Sequence, residues 1–307
     1  MTGVRVSSAA PDPHRRINYY LAPMKVLLIF IPLVLAFSAW SQEPSSGDSS
    51  AACITYWTKG QTHIYTILHE KRNPQPNMPD TVFHFSYEAT VSVLDASDSD
   101  YTIKWVFHIP PGINAGPLDT LPFFEGMQII YRISNEGAFL GLLNWEEVRD
   151  HYSEIMNFPK ESFDTRQKVE SALIREIQLY HLPYGYKFTT TKVSSPTQLS
   201  NPFGGSPLPA IQSYQITTYD PLLFTLVIEQ NIDTATLGST MGTRLKKITD
   251  VRQRQIKKEQ LTSLELSDYS EYRVIRYTGW IRHLYYKRAA VGGGVTQSDA
   301  YTIDMKN

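Results

Sequence analysis

The chain has 307 residues, of which 42% are hydrophobic and 12% aromatic, and its formal net charge is −1. That length can bury a sizeable core in one large domain or two small ones. The balanced charge excludes the basic signature of a nucleic-acid binder and the acidic run of a solvating tail, and the single cysteine, Cys53, excludes an internal disulfide framework.

Met24 and Lys25 precede an apolar run, Val26 to Phe37, followed by Ser38-Ala39-Trp40-Ser41-Gln42. A basic start, a short apolar stretch and small residues at Ala39 and Ser41 make the secretory pattern. The apolar helix enters the translocon, and the small side chains fit the peptidase. A membrane span needs about 20 apolar residues; this run is shorter and contains Pro32. Residues 1–41 therefore read as a signal region, with translation expected to start at Met24 and cleavage after Ser41. No transmembrane span is expected in the mature chain, which belongs in the periplasm or outside a bacterium. Residues 42–52 read as a flexible polar leader. Ala51-Ala52-Cys53 ends like a lipobox, but Ser50 stands where that motif needs an aliphatic residue. Cys53 is therefore expected to be an ordinary, partly buried cysteine near the mature start.

The domain itself is expected over residues 53–307. Thr62 to Glu70 reads as a strand, and the Pro-rich stretch Asn73 to Pro79 as a loop. The clearest pattern follows. Phe83, Phe85, Tyr87, Ala89, Val91 and Val93 alternate with His84, Ser86, Glu88, Thr90 and Ser92, which puts one apolar and one wet face on a strand. Asp95 to Asp100 makes a turn, and the alternation resumes at Tyr101, Ile103, Trp105, Phe107 and Ile109: an antiparallel hairpin with a long aromatic inner face. After a Pro/Gly connection at 110–126, Met127 to Ile133 and Ala138 to Leu143 read as strands. The period then changes. Asn144, with Glu147 as capping-box partner, starts a helix running to about Met156. A second helix starts near Asp164 with Gln167 as box partner, and Val169, Leu173, Ile177 and Tyr180 stripe one face. His181 to Gly185 stops it.

Strands return at Tyr186 to Lys192, Ile211 to Tyr219, Leu222 to Ile232, Glu271 to Tyr277, Trp280 to Arg288 and Tyr301 to Met305. Residues 194–209 read as a Pro/Gly/Ser loop, and 244–261 as a charged segment leaning to helix. The predicted class is α+β, mostly β: a curved, half-barrel-like antiparallel sheet with a two-helix insertion at about 144–182. Nineteen tyrosines suit its half-buried pleated surface.

No chemistry stands out. The eight histidines are scattered, and no pair has the helical spacing that puts two ligands on one face. His84 and His108, on the outer face of the hairpin, read as solvent-facing rather than as metal ligands. Asp95, Asp98 and Asp100 lack the central glycine and terminal glutamate of a calcium loop and read as turn residues. Glu146 and Glu147 are adjacent on a helix, so they do not face each other and instead complement its dipole. No nucleophile elbow, phosphate loop or dinucleotide glycine pattern is present. The 169–180 stripe reads as packing on the sheet rather than on a membrane. Lys246, Lys247, Arg252, Arg254, Lys257 and Lys258 read as a solvated basic face. No catalytic, cofactor-binding or metal residue is assigned, and no cofactor is expected.

Four segments have a familiar layout: Lys59-Gly60-Gln61-Thr62-His63-Ile64-Tyr65, the hairpin to Trp105, Asn144-Trp145-Glu146-Glu147 and Tyr277-Thr278-Gly279-Trp280. Together they resemble a family of uncharacterised exported bacterial proteins of unknown function, with a signal peptide, an opening strand led by Lys-Gly and a Thr-Gly-Trp turn near the C-terminus. The resemblance implies an envelope location and a curved antiparallel sheet, and it brings no catalytic residues. The expected function is a non-enzymatic envelope protein that binds a hydrophobic small molecule or an envelope protein partner. The alternatives are an envelope hydrolase with an unfamiliar site and a structural or interaction module.

Overall fold

The structure is a computed structural model and describes residues 49–72, 82–109, 125–156, 159–199, 207–232, 265–292 and 295–306. The signal region, most of the leader, the 73–79 loop, nearly all of the 110–126 connection and the charged stretch 244–261 with its basic cluster lie outside the described residues.

The strands, in chain order, are β1 (Ser50–Cys53), β2 (Thr62–Arg72), β3 (Val82–Ala96), β4 (Asp100–His108), β5 (Gln128–Ser134) and β6 (Phe139–Leu142). Three helices follow: α1 (Trp145–Met156), α2 (Arg166–Leu173) and α3 (Arg175–His181), with a 3-10 turn at Lys160–Phe163 before α2. Then come β7 (Tyr186–Thr189), β8 (Val193–Leu199), β9 (Leu208–Tyr219), β10 (Leu223–Ile232), β11 (Glu265–Ile275), β12 (Ile281–Gly292) and β13 (Val295–Met305). Eleven strands form one open antiparallel sheet in the order β6-β5-β4-β3-β2-β13-β12-β11-β10-β9-β8. Two meanders thus join where β2 pairs with β13, so the first and last long strands are neighbours at mid-sheet. β1 and β7 make a separate small ribbon.

Period-two alternation selects the inner face. Tyr87, Ala89, Val91 and Val93 on β3, and Tyr101, Ile103, Trp105 and Phe107 on β4, are all buried, as the hairpin pattern requires. The sheet curls around α3. Tyr131 on β5 hydrogen-bonds the side chain of His181, and Tyr272 on β11 hydrogen-bonds the carbonyl of Leu179. Six strand spacings separate β5 from β11, roughly 29 Å in a flat sheet. A helix is only about 10–12 Å across, so the sheet must wrap for both strands to reach it.

Three departures from the sequence reading have physical causes. The second helix is broken at Ile174, which has non-helical dihedrals (φ −128°, ψ 32°) and is fully buried, so one expected helix becomes α2 and α3. The cap of α2 is Thr165, whose hydroxyl accepts from the Lys168 N–H, one residue beyond the expected start. Asn144 does not cap α1 with its side chain. Its Oδ1 accepts from the Ile130 N–H and its Nδ2 donates to the Gln128 carbonyl, tying the helix entry to β5.

Second, residues 194–209 contain a strand, β8, and the start of another. Pro196 hid β8 in the sequence; the strand is the sheet's edge, where a residue without an N–H is tolerated. Third, β1 begins at Ser50, inside the expected leader, and Cys53 is fully buried rather than partly exposed.

Candidate functional site

The sequence reading assigned a packing role to the apolar stripe of α3. The structure adds a second role, carried by tyrosines. Hydroxyls from five different strands reach α3. Tyr65 on β2 shares a 2.8 Å hydrogen bond with Tyr180. Tyr87 on β3 donates to Glu176, Tyr131 on β5 pairs with His181 at 3.0 Å, and Tyr272 on β11 donates to the Leu179 carbonyl at 3.0 Å. Tyr286 on β12 accepts from Arg175 Nη2 at 2.5 Å. A tyrosine brings apolar body and polar tip together, so each strand buries area and anchors the helix with the same side chain. Burial pushes the hydroxyls of Tyr65, Tyr87 and Tyr131 well above the usual tyrosine range, so they stay neutral.

Over β2, β4 and β5 the helix seals the concave face: Tyr65, Trp105, Tyr131 and Tyr180 have essentially no exposed surface. The inner face of the hairpin is therefore closed core from Tyr87 to Val93 and from Tyr101 to Phe107, and partly open at Phe83 and Phe85. A half-open cavity of about 210 Å³ lies between α3 and strands β10, β11 and β12. Arg175, Leu179 and Leu182 form one wall, and Ile228, Asp268 and Tyr286 the other. The core divides into the large aromatic cluster, which includes Leu179, Ile228 and Tyr286 of the cavity wall, and a smaller one of Leu199, Leu208, Ala210, Ile232 and Leu266.

The cavity has a charged floor. Arg288 donates to Asp268 through Nε at 2.7 Å and through Nη2 at 2.5 Å, a bidentate pair with side chains only 17% and 10% exposed. Tyr286 also donates to Asp268, at 3.1 Å, and burial followed by that carboxylate pushes its hydroxyl up to about 12. Cross-strand register extends the row. Asp268 opposes Arg288, Arg288 opposes Asp299 and Asp299 opposes Lys71, so charges of alternating sign cross β11, β12, β13 and β2 on the inner face. His69, one pleat away on β2, contacts Asp299 and stacks on Tyr301 at 4.0 Å. A buried pair of this kind adds little stability over an apolar packing of the same volume, because desolvation offsets the attraction. Nothing in the sequence spacing marked these residues, which lie far apart in the chain and meet only through strand register.

The residues weighed in the sequence reading lie elsewhere. His84 pairs with Glu70 and His108 with Thr90, each on the outer face, and they do not meet: His108 stands opposite Glu88, farther along β3. Asp95 is held by Lys59, which keeps its carboxyl below the usual range, and Asp100 closes the turn with Ser97. Glu147 meets Asn144. Val169, Ile177 and Tyr180 of the stripe are buried in the protein's own core. Cys53 is sealed, and burial pushes its thiol far up, so it is no nucleophile.

Two histidines could suggest catalysis. His181 is buried, and desolvation pulls it down to about 3. Its Nδ1 faces the Gly137 carbonyl at 2.9 Å, which can only accept. The neutral ring therefore carries its proton on Nδ1 and accepts from Tyr131 at Nε2, leaving neither nitrogen for a substrate. His69 and Asp299 make a carboxylate–imidazole pair, but no Ser, Thr or Cys side chain among the described residues hydrogen-bonds to His69. Among the described residues no group of three His, Cys, Asp or Glu could hold a metal ion, and no helix is long and apolar enough to cross a membrane. Compared with known proteins, the chain matches no protein-family model and no curated protein.

Proposed function

We propose that this chain is a non-enzymatic, exported envelope protein of a bacterium that holds a hydrophobic ligand between α3 and strands β10 to β12. The observation that carries the reading is the half-open cavity between α3 and strands β10 to β12. Its volume of about 210 Å³ is below the roughly 300–1,000 Å³ of pockets that enclose a whole small molecule. It therefore takes one end of a ligand, while the rest lies along exposed apolar surface such as Leu182, which is 44% exposed. The secretory pattern from Met24 to Ser41 supports export. Among the described residues the His69–Asp299 pair favours a hydrolase instead, but no Ser, Thr or Cys side chain there is oriented against it as a nucleophile.

Native mass spectrometry on protein purified from its own host tests the reading. A co-purifying amphiphile, released on denaturation, is the expected result. Protein that arrives empty, and takes up no apolar probe in solution, would end it.

A further inference from the structure

The cavity's lining carries an uneven charge. It holds two permanent cations, Arg175 and Arg288, against one carboxylate, Asp268. Arg288 is taken by Asp268 in bidentate fashion. Arg175 lies over the ring of Tyr286 at 5.2 Å and its charge bears on Asp299 and Glu176. Among the described residues it makes no salt bridge. Its Nη2 donates to a neutral tyrosine, and its Nε is buried without a hydrogen-bond partner. Its neighbour on α3, Glu176, makes no salt bridge with it: that carboxyl accepts from Tyr87 on β3, although the Arg175 charge still bears on it.

A guanidinium offers five donors in a planar fork that matches an oxyanion, and it is the most weakly hydrated of the cationic side chains. Leaving a buried donor unmade is costly. Beside the fork, Leu179, Leu182 and Ile228 supply an apolar wall, and Gln178, Gln230 and Ser270 supply neutral polar groups. Charge in excess at one end and hydrocarbon surface beside it are complementary to an amphiphile with an acidic head.

We propose that the cavity is a headgroup site for an anionic amphiphile, with Arg175 gripping a carboxylate or phosphate oxyanion and the chain running along Leu179, Leu182 and Ile228. The proposal rests on the hydrophobic-ligand reading above and specifies the ligand's chemistry.

Calorimetric titration of the protein with four probes tests it: laurate, dodecyl phosphate, 1-dodecanol and inorganic phosphate. Laurate and dodecyl phosphate are expected to bind at least about tenfold more tightly than dodecanol, the equivalent of one charge-assisted hydrogen bond. Inorganic phosphate alone is expected to bind far more weakly than either. Arg175→Gln should erase the preference for the acids over the alcohol, and Arg175→Lys should keep part of it. If dodecanol binds as well as the acids, the headgroup site is overturned while the hydrophobic-ligand reading stands. If inorganic phosphate matches laurate, the site holds a free anion and the amphiphile proposal falls. If no probe binds, both fall. An Arg175→Gln protein that retains the wild-type preference also overturns the role of Arg175. The comparison of acid with alcohol uses the unaltered protein, so it decides the question even if that variant does not fold.

Discussion

The Tyr131 hydroxyl sits 3.0 Å from Nε2 of His181, and the opposite ring nitrogen sits 2.9 Å from the carbonyl oxygen of Gly137. The imidazole is thereby bolted between β5, α3 and the turn at Gly137 in one tautomer. Around it stand the rings of Trp57, Tyr180 and Tyr184, none of them charged. A proton added here would have no counter-ion and would turn the ring's acceptor nitrogen into a donor.

That arrangement predicts a pH dependence of stability. In the unfolded chain the ring titrates near 6.5; in the folded protein burial lowers it to about 3. Between those values the unfolded state binds more protons, so stability is full above about 6.5 and falls as the pH drops. The slope approaches about 1.4 kcal/mol per pH unit. Glu176, raised by burial, works in the opposite sense, because its folded state holds the proton longer. Urea unfolding of His181→Gln beside the wild type isolates the histidine: the variant's curve should be flatter across this window by one proton. Parallel curves would show that His181 is not held neutral.

The sequence displayed the sheet well and the site poorly, for one physical reason. Alternation is local, so β3 and β4 could be read residue by residue from Phe83 to Phe107. The same local reading assigned the strand tyrosines to a half-buried surface but could not say that Tyr65, Tyr131 and Tyr272 would point their hydroxyls at one helix. That depends on how far the sheet curls. Arg175, Asp268 and Arg288 meet through the β11–β12 register and the break at Ile174, neither of which has a spacing signature. Pro196 misled in a different way. Proline argues against a central strand, and only the position of β8 at the edge makes it acceptable.

The Thr278-Gly279-Trp280 turn is where the N-terminal segment closes over the end of the sheet. Trp57 stacks on Trp280 at 3.9 Å, and Tyr184 donates to the Gly279 carbonyl at 2.6 Å. Gly279 has φ +74°, and a Cβ there would lie 1.9 Å from the Ile54 carbonyl oxygen, a backbone atom that cannot step aside. Gly279→Ala should therefore cost more than about 3 kcal/mol, the strain of a left-handed residue plus the clash. Gly60 has a similar φ of +86° with nothing within 4 Å of its Cβ position. Gly60→Ala should cost only the conformational part, about 1–2 kcal/mol. Equal unfolding midpoints for the two variants would refute the close approach at Ile54.

Trp105 separates closed core from ligand groove. It is fully buried, with its ring 5.9 Å from Tyr180 edge-on and 6.4 Å from Tyr65 in a stacked arrangement. Trp105→Ala should cost about 3–5 kcal/mol. Among the described residues the indole N–H has no hydrogen-bond partner, so Trp105→Phe removes an unsatisfied donor along with some volume and should cost much less. A near-native melting temperature for the alanine variant would mean that the hairpin lines open space, and the binding site would move there.

Export predicts processing. Protein recovered from the envelope should begin at or within a few residues of Gln42 by N-terminal sequencing. Recovery of the chain from the cytoplasm with residues 1–41 attached would end the export reading, and a lipid on Cys53 is incompatible with its buried position in β1.

The Asp268–Arg288 pair yields a prediction in which the single and double substitutions diverge. Asp268→Asn leaves the guanidinium of Arg288, only 17% exposed, without its carboxylate and leaves Tyr286 with a weaker acceptor. Breaking a buried pair from one side typically costs about 3–5 kcal/mol, most of it the penalty of an uncompensated charge. Replacing both partners with apolar side chains of similar volume, as in Asp268→Leu with Arg288→Met, removes the charge and its penalty together. That protein should be clearly more stable than the single variant and close to the wild type. Denaturant midpoints for the three proteins check the order. A loss of no more than about 1 kcal/mol for Asp268→Asn, the range of a surface ion pair, would mean that water reaches the pair freely. The floor of the cavity would then be ordinary solvated surface, and the case for a desolvated headgroup site beside Arg175 would weaken with it. The predicted order would mean instead that the charged floor contributes little to folding as a whole, so its presence on the concave face needs a reason other than stability.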